Sequence, residues 1–304
     1  MDNSSSKPIS LKGMWHLGVV YVVWSSTYLA IRVAVREGGG FPPFTLGMMR
    51  TLAAGFFLLG WARLSRLRLN PTRQELATLA VVGLLLWTGG NGMVSWAEQY
   101  AASGLTALIV AATPIWSMVI EAVIDRKSPS PGLLFSLLAG FLGIGVLALP
   151  SFSSGVKVDL MAALALIGAG ITWSLGSVLQ ARRSVNLHAR VSSAYQMIFG
   201  GLGFSLLLAA AHEPAPTPTP AAWGAFFYLL FFGSVLAFTS FVTALQILPT
   251  NIVLTYAYVN PVIAVFLGWL ILKEEITPWT IGGSLLVLLG VAGVFRDRYK
   301  PAGG

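Results

Sequence analysis

Two tryptophan–serine pairs, far apart in the chain, carry side chains suited to binding a flat organic molecule. Trp24-Ser25 and Trp173-Ser174 each lie near the middle of a long apolar run. An indole ring packs favourably on flat apolar groups, and a neighbouring hydroxyl can hydrogen-bond to a polar end. The pairs therefore predict an aromatic cavity with a few hydroxyls, although packing between helices would also explain buried tryptophans.

Two prolines interrupt other apolar runs, each directly after a polar residue. Pro114 follows Thr113, and Pro261 follows Asn260. A proline inside a helix leaves the carbonyl four residues earlier without its hydrogen bond. In a membrane, that carbonyl must be satisfied by protein, water or ligand. Two interpretations stay open: local repair by a nearby side chain, or two kinks that offer acceptors to a substrate ammonium across a wet cavity.

Further polar and aromatic residues could belong to the same cavity. Tyr28 and Ser177 lie one helical turn after the two tryptophans and so share their helix faces. Asn91 follows two glycines, so a close approach between helices would explain its position equally well. Trp96 and Tyr100 on the same run, and Tyr256 on a distant run, are aromatic candidates for the same cavity. The predicted substrate-binding set is Trp24, Tyr28, Asn91, Trp96, Tyr100, Thr113, Trp173, Ser177, Tyr256 and Asn260.

Ionisable groups give no pattern for catalysis, metal binding or a cofactor. The chain has no Cys, and its three histidines (His16, His188 and His212) lie in loops or at the ends of apolar runs. No phosphate-binding Gly-x-x-x-x-Gly-Lys-Ser/Thr sequence is present. Glu121 lies near the edge of a run, where we expect it to extend to the interface or pair with a basic neighbour, the alternative being a role in proton relay. Arg50 lies inside a run, where it either binds a carboxylate or extends outward to the interface.

Composition indicates an integral membrane protein. Of 304 residues, 56% are hydrophobic and 10% are charged, with a mean hydropathy of +0.77, whereas soluble domains carry about 25% charged residues. The net charge of +8 does not indicate nucleic-acid binding, because Lys and Arg lie in short loops between apolar runs. The expected partners are the lipid bilayer and a small-molecule substrate.

Ten apolar runs are long enough to be membrane helices, which need about 20 residues each. The first is too long for a signal-peptide core and is expected to be retained. With both termini in the cytoplasm, fourteen of the nineteen Lys and Arg residues lie inside and four outside, which follows the positive-inside rule. The predicted spans are Leu17–Val35, Phe44–Trp61, Leu76–Trp96, Gly104–Ile124, Gly132–Leu149, Leu160–Gln180, Val191–Ala211, Ala222–Leu245, Ile252–Leu272 and Trp279–Phe295.

The two halves of the chain resemble each other weakly. A shift of 147 residues pairs Pro114 with Pro261, and a shift of 149 pairs Trp24 with Trp173. Because five spans separate the copies, the second copy would cross the membrane in the opposite direction. Inverted repeats are a recurrent plan of secondary transporters, with the substrate site near the midplane. The predicted repeats are residues 1–150 and 151–304, although apolar helices also resemble one another by chance.

The repeat motif resembles that of the drug/metabolite transporter superfamily and its EamA-repeat family. In the first half it reads Ala97, Tyr100, Ser103, Pro114 and Asp125-Arg126-Lys127. In the second half it reads Ala244, Pro261, Lys273-Glu274-Glu275 and Gly282-Gly283 through Gly293, with Ile247 at the tyrosine position. Within the superfamily the chain is most similar to YddG-type exporters of aromatic amino acids. The resemblance implies an all-α protein of ten membrane helices, arranged as two inverted five-helix repeats.

Three classes of function remain at this stage. The first is export of amino acids, aromatic or large apolar ones above all, or of related metabolites, by alternating access across a bacterial inner or plasma membrane. The second is transport of another substrate, such as a nucleotide sugar, a purine or a cationic drug. The third is an intramembrane enzyme, which should show a buried catalytic cluster that this sequence lacks. Paired glycines allow close helix crossings within or between copies, so the oligomeric state stays open.

Overall fold

All regular structure in the described part of the chain is helical. The computed structural model describes residues 9–35, 38, 40–100, 106, 109–153, 160–183, 185–267 and 276–298. Within these ranges the chain forms α-helices and two π-helical stretches, and no strand. The prediction of an all-helical protein is confirmed.

Eight helices in the described ranges are long and apolar enough to cross a membrane, namely all those below except α4 and α9. A single helical turn, Thr250–Val253, precedes α9. The predicted spans Gly104–Ile124 and Ile252–Leu272 lie partly outside the described residues, so the count of ten spans stays a prediction. The helices are α1 Leu11–Ala34, α2 Pro43–Leu64, α3 Arg73–Ala97, α4 Thr113–Asp125, α5 Pro131–Ser153, α6 Leu160–Arg182, α7 Ala189–Ala211, α8 Pro220–Ile247, α9 Tyr256–Leu267 and α10 Pro278–Arg298.

Helix starts follow the sequence signals for capping. The Ser10 hydroxyl accepts a hydrogen bond from the backbone N–H of Gly13 at 3.0 Å, at the start of α1. Thr72 and Glu75 form a reciprocal capping box at the start of α3. Both arrangements satisfy backbone N–H groups that have no partner within the helix.

The helices pair in a pattern that two five-helix repeats predict. Contacts join α2 to α7, α5 to α10, α1 to α8 and α9, and α6 to α3 and α4. If each helix is replaced by the one five places along, the pairs α2–α7 and α5–α10 are unchanged, and the pairs of α1 with α8 and α9 become the pairs of α6 with α3 and α4. The boundary between residues 150 and 151 itself stays a prediction.

The pair α5–α10 is held at backbone contact by glycines. A Cβ added at Gly143 would lie 2.6 Å from the backbone nitrogen of Val287, and one at Gly283 would lie 2.8 Å from the carbonyl oxygen of Gly143. No side chain fits at these positions without separating the helices. Small residues at such crossings are the usual means by which helices approach closely in a membrane, where apolar side chains gain little by leaving lipid.

Two helices change to π-helical geometry near their middles, over Leu84–Asn91 in α3 and Leu229–Phe238 in α8. Shifting 84–91 by the 147 residues that separate Pro114 from Pro261 gives 231–238, which lies within the second stretch. A π-helical stretch disturbs the regular hydrogen-bond ladder and often occurs at functional sites. Both stretches lie beside the cavity described next.

Ion pairs join helices at the end of the bundle that the charge count assigns to the cytoplasm. The guanidinium of Arg182 in α6 donates to the carboxylate of Asp125 in α4, with an Nη2–Oδ2 distance of 2.6 Å. Glu75 in α3 binds Arg68 at 2.6 Å and also accepts the backbone N–H of Asn186 at 2.9 Å. These contacts fix the loops at this end of the bundle to one another.

Candidate functional site

A cavity lies between α1, α3 and α6, at the points where α4 and α9 begin. Its volume is about 80 Å³, which is room for a few water molecules. Six of the ten predicted substrate-binding residues line it: Trp24, Asn91, Thr113, Trp173, Tyr256 and Asn260. The other lining residues are Thr27, Ile31, Arg50, Trp87, Gly90, Val94, Val110, Ala169 and Gly170.

Three aromatic rings form one wall of the cavity. The ring of Trp24 contacts that of Trp173 edge-on, with centroids 5.6 Å apart, and that of Tyr256 with centroids 4.8 Å apart. Phe241, which is fully buried, packs behind all three rings at 5.1 to 5.9 Å. The tryptophans therefore pack between helices and line the cavity at once, so the two interpretations from the sequence are not exclusive.

The two tryptophans differ in how their indole N–H groups are used. The Nε1 of Trp24 donates to the carbonyl oxygen of Gly233 in the π-helical stretch of α8, at 3.2 Å. The Nε1 of Trp173 is buried and has no hydrogen-bond partner in the described part of the chain. A buried donor without a partner carries a desolvation cost that a ligand or a water molecule can remove.

Thr113 repairs the backbone beside the first proline. Helix α4 begins at Thr113 with Pro114 at its second position, so this proline starts a helix where the sequence predicted a kink within one. The Thr113 hydroxyl donates to the carbonyl oxygen of Val110 at 2.6 Å, and the Ser174 hydroxyl donates to the carbonyl of Thr113 at 2.9 Å. The structure thus favours local repair over a free carbonyl at this position.

Asn260 precedes the second proline, which lies inside α9, and it contacts carbonyls other than that of Ala257, which this proline leaves without its helical hydrogen bond. Its side chain is 99% buried, being only 1% exposed. With the amide oriented to match donors to acceptors, the nitrogen donates to the carbonyl oxygens of Tyr256 at 3.1 Å and Tyr21 at 3.2 Å. Asn260 therefore lines the cavity while joining the backbones of α1 and α9.

Among the described residues that line the cavity, Arg50 is the one with a charged side chain. Its side chain is only 5% exposed, so it points into the bundle and does not extend to the interface. The Nε donates to the hydroxyl of Ser234 at 2.6 Å, and the guanidinium carbon lies 5.1 Å from the ring centroid of Trp87. The sequence left two interpretations for Arg50, and the structure excludes the one in which its side chain extends outward to the interface.

The remaining predicted residues lie elsewhere. The hydroxyl of Ser177 donates to the carbonyl of Trp173 at 2.7 Å, within α6, and does not line the cavity. Trp96 and Tyr100 pack against each other at 5.1 Å near the end of α3, in a second cavity. The side chain of Tyr28 lies outside the described part of the structure.

The second cavity, which we call the vestibule, opens at the loop end where α3 and α7 finish and α2 and α8 begin. Its volume is about 690 Å³. Val35 and Glu98 line the vestibule, whereas Ile31 and Val94, one helical turn away on the same helices, line the central cavity. The layer of α1 and α3 side chains at this level therefore lies between the two cavities.

Sequence reasoning missed Thr27 and Trp87 as lining residues. Each lies close in sequence to a predicted residue, Thr27 three after Trp24 and Trp87 four before Asn91. Helical spacing could have added both, since residues three and four apart share a face. In the described part of the chain, no group of three or more His, Asp or Glu side chains could hold a metal ion.

An all-helical bundle with broken helices around a central cavity has the architecture of many membrane transporters, whose substrate sites are typically formed by discontinuous helices. The model of the EamA-like transporter family matches twice, over residues 11–149 and 160–296. The chain belongs to this family.

Individual relatives cover nearly the whole chain. The uncharacterized inner membrane transporter YedA of Escherichia coli K12 is 32% identical over 291 residues, which cover 94% of this chain and 92% of that one. The probable terminal-alkyne amino-acid exporter of Streptantibioticus cattleyicolor is 25% identical over 298 residues, covering 96% and 95%. A crystal structure of a protein 18% identical superposes with a TM-score of 0.76, covering 95% of this chain and 99% of that one, which shows the fold alone.

Proposed function

We propose that this chain exports amino acids with large apolar side chains, aromatic ones above all, by alternating access through the central cavity. The observation that carries the proposal is the wall formed by Trp24, Trp173 and Tyr256, whose rings meet at 4.8 to 5.6 Å beside buried polar groups. Such a wall suits a flat apolar side chain attached to a polar end.

The size of the cavity indicates which step of transport the structure represents. A cavity of about 80 Å³ holds a few water molecules, and an aromatic amino acid needs considerably more room. The rings must therefore separate before substrate enters, and the layer that includes Ile31 and Val94 is the nearest barrier toward the vestibule. Alternating access in this chain then consists of opening this layer and the opposite, ion-paired end in turn.

Two resemblances support amino acids over other substrates. One relative is named a probable terminal-alkyne amino-acid exporter, and the repeat motif is most similar to YddG-type exporters of aromatic amino acids. The charge bias further supports a bacterial inner-membrane location with both termini in the cytoplasm. Because no carboxylate lies among the described residues that line the central cavity, we propose passive or gradient-driven exchange.

The test is counterflow in proteoliposomes that contain the purified chain. Vesicles loaded with unlabelled substrate are diluted into trace radiolabelled substrate, across a panel of phenylalanine, tryptophan, leucine, alanine, adenosine and a nucleotide sugar. We expect accumulation of phenylalanine, tryptophan and leucine, and weaker accumulation of alanine. Accumulation of adenosine or the nucleotide sugar alone would overturn the proposal, and protein-free vesicles measure the leak.

A further inference from the structure

We propose that Arg50 anchors a substrate carboxylate, so that the cavity selects molecules with a free carboxylate over their amides and amines. This assignment deepens the proposed function and rests on it for the choice of amino acids as probes. The ligand class is a small organic carboxylate, bound between the guanidinium and the aromatic wall.

Arg50 is a buried cation that has no carboxylate beside it in the described part of the chain. Arg50 lies in the middle of α2 and is 5% exposed. In the described part of the chain, no carboxylate forms an ion pair with it. A charged side chain inside a membrane protein is costly and normally pairs with an opposite charge or faces a water-filled cavity. Arg50 lines the central cavity, so an anion bound there would supply the missing opposite charge.

The guanidinium of Arg50 has N–H donors that no described residue uses. A guanidinium has five N–H donors, and the hydrogen bond described for Arg50 uses Nε, which donates to Ser234. The ring of Trp87, 5.1 Å away, supports the cation from another side without accepting a conventional hydrogen bond. The terminal nitrogens therefore remain free to bind a carboxylate, and the Ser234 hydroxyl holds the group in a fixed orientation.

The guanidinium of Arg50 lies beside the aromatic wall. Gly233 contacts both: a Cβ added there would lie 3.2 Å from Nη2 of Arg50, and the Gly233 carbonyl accepts the indole N–H of Trp24. The π-helical stretch of α8 thus holds the cation and the wall side by side. One molecule with a carboxylate at one end and an apolar ring at the other would contact both.

The lining of the cavity suits a bound anion that carries a single negative charge. Among the described lining residues Arg50 is the one Lys or Arg, and the others are apolar, aromatic or uncharged polar groups. A single guanidinium matches a single carboxylate, whereas a diphosphate would leave charge uncompensated in a site of low polarity. The cavity therefore fits a monocarboxylate better than a nucleotide sugar.

The experiment compares an acid with its amide in two assays on the purified full chain. Thermal unfolding in detergent is measured with phenylalanine, 3-phenylpropionate, phenylalaninamide and phenethylamine. Counterflow of labelled phenylalanine is then competed with the same unlabelled compounds. The variants are Arg50→Gln, which removes the charge, and Arg50→Lys, which keeps it.

The chain offers a matched control in Arg190. This arginine also binds one serine, Ser65 at 2.9 Å, and stacks on one tryptophan, Trp61 at 3.8 Å, but it lies at a helix end away from both cavities. Arg190→Gln therefore removes a cation that has the same two kinds of partner, at a partly exposed helix end, without touching the proposed anchor.

We expect the wild type and Arg190→Gln to prefer phenylalanine and 3-phenylpropionate over phenylalaninamide and phenethylamine, which lack the carboxylate, by about tenfold or more. Arg50→Gln should lose this preference, and Arg50→Lys should retain part of it. Equal stabilisation of the wild type by acid and amide would overturn the anchor, as would unchanged preference in Arg50→Gln. If Arg50→Gln does not fold, the wild-type ratio and Arg50→Lys decide. Arg50-dependent stabilisation by 3-phenylpropionate without amino-acid counterflow would keep the anchor and reject amino acids as substrates.

Discussion

The indole N–H of Trp24 donates a hydrogen bond to the carbonyl oxygen of Gly233, 3.2 Å away, and so joins α1 to the π-helical stretch of α8. The same glycine packs against Arg50 and Thr27, because a Cβ in its place would lie 3.2 Å from each. The aromatic wall and the buried cation therefore share one support, and a movement of the π-helical stretch would move both.

The aromatic wall leads to a prediction about substrate size. Trp24→Ala or Trp173→Ala should reduce transport of phenylalanine about two- to tenfold more than that of alanine, because an aromatic contact adds roughly 0.5–1.5 kcal/mol beyond area burial. The measurement is counterflow with phenylalanine and alanine as competing substrates, normalised to the amount of protein in the vesicles. Trp61→Ala, at an exposed helix end, is the control. Equal losses for both substrates would mean that the rings only hold helices together.

The shared support at Gly233 can be tested with a single methyl group. Gly233→Ala places a Cβ in contact with Arg50 and Thr27 and should lower phenylalanine counterflow, because the guanidinium or the π-helical stretch must shift. Gly224→Ala in the same helix meets nothing within 4 Å and should leave counterflow unchanged. The Tm of both variants in detergent separates a loss of transport from a loss of stability, because overpacking at Gly233 can outweigh the about 0.5–1 kcal/mol by which alanine favours a helix over glycine. Full transport by that variant would contradict the arrangement.

Much of the candidate site could be predicted from the sequence because the two halves provide equivalent positions. The repeat singled out Trp24 and Trp173, and the structure brings them together. Tyr100 was expected on the same wall as Asn91, yet it lines the vestibule. Nine residues of helix rise about 13 Å at 1.5 Å each, so one helix cannot present both residues to a small cavity.

Other features could not be predicted because they depend on how helices are rotated and packed. Helix α2 is apolar on every side, so its sequence does not show whether Arg50 faces the interior or the lipid. The π-helical stretches carry no sequence signal of their own. Thr113 and Asn260 were recognised as polar neighbours of prolines, but only the folded chain shows that Thr113 satisfies the freed carbonyl of Val110, whereas Asn260 joins α9 to α1.

The contact between α5 and α10 predicts a position-specific effect on stability. Gly143→Ala introduces a Cβ 2.6 Å from the backbone nitrogen of Val287, so the helices must separate. Overpacking of this kind costs about 1–3 kcal/mol, and thermal unfolding in detergent should show a lower Tm. Gly145→Ala, two residues along, meets nothing within 4 Å and should match or exceed the wild type. The same Tm for both variants would show that this crossing tolerates a methyl group.

Glu121 allows a test of how transport is coupled. It lies in α4, one helical turn before Asp125, whose carboxylate is bound by Arg182 at 2.6 Å. Glu121 does not line the central cavity, so Glu121→Gln should leave phenylalanine counterflow largely intact. Protein yield and Tm serve as controls for folding. Loss of exchange with normal yield would assign Glu121 a role in proton coupling.

The last prediction concerns orientation in the membrane. Fourteen of nineteen Lys and Arg residues fall on the side of both termini if the chain has ten spans, and adding or removing one span would destroy this bias. The chain has no Cys, so single cysteines can be introduced without background. Asn3→Cys and Gly304→Cys should react with an impermeant maleimide only after the membrane is opened. Ala215→Cys, in the exposed loop between α7 and α8 at the vestibule end, should react in intact cells. An even number of spans requires both termini on the same side of the membrane, and the charge bias puts that side in the cytoplasm. Reaction of either terminal cysteine in intact cells would therefore reject the ten-span topology.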